Sequence, residues 1–124
     1  MSSLLTDRQI IQEVHDHNMI EPFEPKLVNT NFDQKVVSYG LSSAGYDMRL
    51  DAHFKVLVPY GGEQILDPKK VTESHYESVF ADSIVISPGN TILGTSMEYF
   101  SIPEDISCIV LGKSTYARCG IHVL

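Results

Sequence analysis

Tyr46-Asp47-Met48-Arg49-Leu50-Asp51-Ala52-His53-Phe54-Lys55-Val56-Leu57-Val58 is the stretch that decides the fold class. Every even position from Tyr46 to Val58 is apolar, and Asp47, Arg49, Asp51, His53 and Lys55 alternate with them. Successive side chains of a strand point to opposite faces, so this period of two predicts a strand with one buried and one polar face. Downstream, Gly61-Gly62 marks a turn and residues 63–82 read as a polar loop. Residues 83–86, 91–99 and 107–111 are predicted as further strands. Turns at Pro88-Gly89-Asn90 and Pro103-Glu104-Asp105 separate them, proline presetting φ and glycine accepting a positive one. Upstream, residues 18–36 carry Pro22 and Pro25 without a sustained period and are predicted as extended loop.

The first element is a helix over residues 6–17. Thr6 and Gln9 have capping-box spacing, and Leu5 and Ile10 have that of a hydrophobic staple. Ile10, Ile11 and Val14 form its apolar stripe. Short strands between Pro/Gly turns, with one leading helix, predict a mainly β single domain spanning residues 1–124.

Of the 124 residues, 43% are hydrophobic and 20% charged, which is enough apolar matter for a core. The net charge of −7 argues against a nucleic-acid partner, whose backbone calls for a basic surface. It leaves room for a small phosphorylated ligand, which needs only local cations and N–H groups. Cys108 and Cys119 form no CxxC pair, which argues against a zinc ribbon or redox motif. No apolar run approaches bilayer length, and no basic-then-apolar leader opens the chain, so a cytoplasmic protein is expected.

Chemistry concentrates in Leu111-Gly112-Lys113-Ser114-Thr115-Tyr116-Ala117-Arg118-Cys119-Gly120-Ile121. Gly112 lets a ligand approach the backbone, Ser114 and Thr115 offer hydroxyls, and Lys113 and Arg118 offer charge. A helical turn opening at Ser114 would add free N–H groups suited to phosphate. The Gly-Lys-Ser sequence resembles the end of a Walker A loop, but that pattern needs glycine where Ser107 stands. An ordinary exposed basic turn fits the same residues. A second segment, Gly40-Leu41-Ser42-Ser43-Ala44-Gly45-Tyr46-Asp47, opens the long strand. Tyr46 is expected in the core, and Asp47 is the functional candidate, through a metal-bound water or an arginine partner.

Taken in order, Ala44-Gly45-Tyr46-Asp47, Pro88-Gly89, Ile102-Pro103 and Gly112-Lys113-Ser114-Thr115-Tyr116-Ala117-Arg118-Cys119-Gly120-Ile121 resemble the dCTP deaminase family, relatives of the trimeric dUTP diphosphatases. Ala-Gly-Tyr-Asp is shared with the diphosphatases, whereas the Lys-Ser-Thr run is closer to the deaminases. The resemblance implies a distorted β-barrel of the dUTPase-like, β-clip type with an N-terminal helix, incomplete at its C-terminal end. It also implies a homotrimer, hydrolytic deamination of dCTP to dUTP and ammonia, and Mg2+ on the substrate triphosphate. By position, Lys113, Ser114, Thr115, Tyr116, Ala117 and Arg118 match the nucleotide-contacting run. Ser114 and Arg118 match the residues that organise the attacking water and its carboxylate base. dCTP, dUTP or dTTP are the expected ligands.

No zinc is expected, since zinc deaminases need His-x-Glu followed by Pro-Cys-x-x-Cys, which this sequence lacks. His15 and His17, two apart on a helix, face different directions and are expected in solvent. In the family the glutamate base follows the motif, beyond Leu124, and none of Glu13, Glu73, Glu77, Glu98 or Glu104 takes its place in the order. The sequence is therefore read either as a piece of an active enzyme or as a shortened, inactive chain, and the intact motif favours the first. Alone, it is expected not to deaminate dCTP. A bifunctional deaminase/dUTP diphosphatase and a non-catalytic nucleotide-binding remnant are the alternatives.

Overall fold

The computed structural model describes residues 3–58 and 66–124, so the expected Gly61-Gly62 turn lies outside the described residues. The fold is mainly β with a helix at the start. The described strands form three antiparallel sheets, and none of these closes on itself. The chain divides into two compact units, Met1–Met48 with Glu98–Leu124, and Arg49–Met97.

The first unit begins with helix α1, Asp7–His17. Thr6 and Gln9 close the expected capping box. The Asp7 N–H, another donor that a helix start leaves free, bonds the Ser43 carbonyl at 3.0 Å. Asn18 in the left-handed region ends the helix. Ile10 is buried and Val14 partly so, but Ile11 is exposed, so the buried stripe is narrower than the sequence reading.

Residues 18–36 are not the loop expected. They contain β1 (Ile20–Glu21), β2 (Val28–Asn31) and the start of β3 (Gln34–Ser42). The β2–β3 hairpin turns on Phe32 and Asp33, both at positive φ, which is the signature of a type I′ turn. Phe32 is 94% exposed, so its ring meets no crowding there. β4 (Gly45–Asp47) pairs with β3, and β1 pairs with β8 (Tyr99–Phe100). The core comprises Ile10, Met19, Ile20 and Leu41, with Leu5, Val14, Phe23, Tyr46, Phe100, Ile102 and Ile106 packed against it. Leu5 and Ile10 thus meet in one cluster, as a hydrophobic staple requires.

The second unit is one sheet, ordered β6-β5-β7. Its centre, β5 (Leu50–Leu57), keeps the expected alternation from Asp51 to Phe54 but not at its ends: Leu50 is 54% exposed, and Lys55 and Leu57 are half-buried like Val56. Phe54 is buried, Ala52 and Val56 are half-buried, and Asp51 and His53 are exposed. β6 (Tyr76–Phe80) arises inside the segment expected to be loop, led by a 3-10 turn, Glu73–His75. β7 (Ile92–Ser96) places Gly94 against Leu50 and Phe54.

Four strand expectations need correction. The run from Tyr46 breaks at Met48-Arg49 into β4 and β5, and residues 91–99 break at Met97-Glu98 into β7 and β8. Residues 83–86 and 107–111 form no strand. A strand needs a ladder partner as well as apolar residues, and none of the described residues pairs with these runs. Val85, Ile109 and Leu111 stand 91%, 80% and 81% exposed. The turns at Pro88-Gly89-Asn90 and Pro103-Glu104-Asp105 form as read, with Asn90 N–H bonded to Ser87 O and Ile106 N–H to Pro103 O, both at 3.0 Å.

Candidate functional site: the Lys113 loop and Asp47

The expected helical turn opens at Ser114 as α2, Ser114–Ala117. Lys113 precedes it in extended conformation, and its carbonyl accepts from the N–H groups of both Tyr116 and Ala117 at 3.0 Å. Past the helix, Gly120 N–H bonds Ala117 O and Ile121 N–H bonds Tyr116 O, both at 3.0 Å. This nested pair is a Schellman closure, and it needs a left-handed residue, supplied by Gly120 at φ 79. The motif's second glycine is therefore a stop that folds residues 113–121 into one tight unit. Gly112 has a different setting: a Cβ there would meet Val123 first, at an ordinary 3.5 Å.

Lys113 turns inward from this loop. Its Nζ donates to Ser38 O at 2.8 Å and Ser38 Oγ at 2.7 Å, and forms an ion pair with Asp47 Oδ2. The two motif segments, distant in sequence, thus meet through Lys113 and Asp47. The cation facing Asp47 is a lysine and not the arginine expected. Ser38 was not singled out from the sequence. It reaches Asp47 because strand periodicity puts it on the same face of β3 as Gly40, and Gly40 lies opposite Asp47 in the ladder. Ser114, Thr115, Tyr116, Ala117 and Arg118 are exposed. Among the described residues the Arg118 guanidinium has no ion-pair partner.

Tyr46 goes to the core as expected. Its ring stacks on Phe23 at 5.7 Å and meets Phe100 edge-on at 6.2 Å. Its hydroxyl accepts from the Glu24 N–H at 3.2 Å and donates to Glu98 Oε1 at 3.4 Å. Glu98, only 2% exposed, is a buried carboxylate that sequence patterning did not reveal. It serves the core beside Tyr46.

His15 and His17 are in solvent on α1, the first beside Asp16 and the second beside Glu13, each at 2.8 Å. The His15 ring, and then the Gln12 amide, hold the Asp16 carboxyl below its ordinary value. Cys108 and Cys119 are both free and exposed. Among the described residues no three His, Cys, Asp or Glu side chains gather as a metal site. No helix there is long and apolar enough to cross a membrane.

Residues 4–124 match the family model for the dCTP deaminase-like domain. The chain is similar to the dCTP deaminases of Pseudomonas fluorescens (strain Pf0-1), 44% identical over 121 residues, and of Orientia tsutsugamushi (strain Ikeda), 43% identical over 121 residues. It is 45% identical over 122 residues to that of Psychrobacter sp. (strain PRwf-1). Each match covers 98% of this chain but only 63% or 64% of the relative. With the family's motif segments joined through Asp47 and Lys113 and a match across nearly every residue, the chain belongs to the dCTP deaminase-like family.

Proposed function

We propose that this chain forms the nucleotide-gripping part of a protein that deaminates dCTP to dUTP and ammonia. The observation that carries the reading is the folded loop of residues 113–118. It presents the Ser114 and Thr115 hydroxyls and a guanidinium without an ion-pair partner among the described residues on one short, closed turn, within a family whose relatives are dCTP deaminases. In this reading Lys113, Ser114, Thr115, Tyr116, Ala117 and Arg118 form the nucleotide-contacting run. Ser114 and Arg118 also orient the water that attacks C4 of cytosine. A glutamate from the region that follows the motif in the family takes a proton from that water and delivers protons to the leaving amine. Water adds, ammonia leaves, and the reaction balances without a redox partner or zinc.

Magnesium belongs to the triphosphate in this reading. Mg2+ is commonly held by substrate phosphates with one or two carboxylates. The protein acts as a homotrimer in the cytoplasm. Exposed Ile109 and Leu111 support burial against further protein.

The decisive test is Arg118→Ala in the enzyme that carries the glutamate segment. Loss of ammonia release by roughly a hundredfold or more, with assembly unchanged, is expected for a group that orients the nucleophile. Retained turnover would refute the assignment. Residues 1–124 alone should release no ammonia from dCTP. Resolving the products as dUTP or dUMP separates a pure deaminase from a bifunctional one, and dCTP binding by the full enzyme without turnover would mark a binding protein.

A further inference from the structure

An ammonium has three N–H donors and no acceptor. All three of Lys113's have partners within the protein: Ser38 O, Ser38 Oγ and Asp47 Oδ2. Its charge is matched by Asp47, and both side chains are about two-thirds covered, at 28% and 33% exposure. For Lys113 to grip a phosphate, at least one of these bonds must break. Loss of the Asp47 bond would also leave that carboxylate without its counter-ion when a polyanion arrives. Arg118 stands exposed without an ion-pair partner among the described residues, beside the exposed hydroxyls of Ser114 and Thr115.

We propose that Lys113 is a positioning residue whose ammonium tethers the loop to Ser38 and Asp47, leaving the loop's exposed groups, and not this ammonium, to meet the nucleotide. The proposal rests on the nucleotide reading of residues 113–118 and assigns Lys113 a different role within it. Ser38 and Asp47 become positioning residues too: they act on the ligand only through the loop that Lys113 anchors. The Lys113 backbone still starts α2.

Two measurements separate this proposal from the reading beneath it. The first is amide hydrogen exchange over residues 116–121 without ligand, in the wild type, Lys113→Met, Asp47→Asn and Arg118→Ala. Loss of a charge-assisted tether should speed exchange by about tenfold or more in the first two variants. Arg118→Ala should leave it unchanged. Equal rates throughout would overturn the tether, whatever the ligand does. The second is tripolyphosphate binding by calorimetry, followed also through the Lys113 ammonium resonance of the wild type.

A tether predicts that Asp47→Asn and Lys113→Met weaken binding alike and that the ammonium resonance stays put. If Asp47 instead restrains a phosphate-binding lysine, Asp47→Asn should tighten binding and the wild-type resonance should move. Either result overturns the proposal. The resonance requires no variant to fold. Absence of tripolyphosphate binding in every protein would count against the nucleotide reading, while the exchange result would still decide the tether.

Discussion

Gly40 shows how much a single position can depend on a remote part of the chain. Its φ is 97, and an added Cβ would lie 2.1 Å from the Lys26 carbonyl oxygen and 2.8 Å from Glu24 Cγ. The first obstacle is backbone, held where the Leu41 N–H bonds Glu24 O at 3.1 Å, so it cannot swing aside as a side chain would. Gly40→Ala should therefore combine left-handed strain with overpacking and cost about 3 kcal/mol. Gly120 has nearly the same demand on φ but open space around its missing Cβ, so Gly120→Ala should cost only about 1 kcal/mol. Chemical denaturation of the two variants checks the difference, and equal losses would show that crowding at Gly40 adds nothing. The sequence reading placed Gly40 in the right segment but could not see this requirement, because the obstructing carbonyl belongs to residues read as loop. Ser38 was hidden for a related reason. A serine inside a strand is commonplace until a lysine from the far end of the chain is known to meet it. Lys113, Ser114, Thr115 and Arg118, by contrast, stand out as candidates because their chemistry and spacing sit in one short run.

At the scale of elements, what could be read was what is specified locally. Helix α1 is set by Thr6 and Gln9, four residues that contain both halves of the box, and by Asn18 at its end. Its N-terminal cap satisfies N–H groups that nothing else in the helix can. Thr6→Ala should remove one half of that arrangement and cost about 1 kcal/mol. Thermal unfolding checks it, and Thr6→Asp should recover most of the loss, since a carboxylate accepts the same bond. An unchanged midpoint in the alanine variant would mean that docking of Ile10, and not the cap, sets the stability of this end. Strands were less legible, because a strand is completed by its neighbour. The β2–β3 hairpin uses Phe32-Asp33 where Asn-Gly is the recognisable signal, so its turn was missed. The opposite error arose at residues 83–86 and 107–111. Their β-branched side chains satisfy a strand's composition, but the described residues provide no ladder for them. Tyr46–Val58 was read correctly as strand within β5, and wrongly where a break at Met48-Arg49 leaves the period of two intact on both sides.

For the whole molecule, the distribution of buried residues matters more than their total. Ile10, Met19, Ile20 and Leu41 form a joint core in the first unit. Among the described residues of Arg49–Met97, Phe54 is the one buried hydrophobic residue. Its sheet has β5 bonded on both sides, so its backbone is well paired while little apolar area holds it. Elements with few buried contacts open at lower free energy than those on a fuller core. Amides of β5 should accordingly exchange with solvent sooner than those in the middle of α1, although both are hydrogen-bonded. Phe54→Ala, at a cost of about 3 kcal/mol, sharpens the comparison. It should speed exchange in Leu50–Leu57, Tyr76–Phe80 and Ile92–Ser96, and leave Asp7–His17 near its original rate. Peptide-resolved hydrogen exchange reads both units in one experiment. If Asp7–His17 accelerates to the same extent, the two units open together and Phe54 supports the whole chain. If only the sheet accelerates, the loop of residues 113–121 belongs to the more protected unit, where a site that must orient water against a triphosphate gains most from being held still.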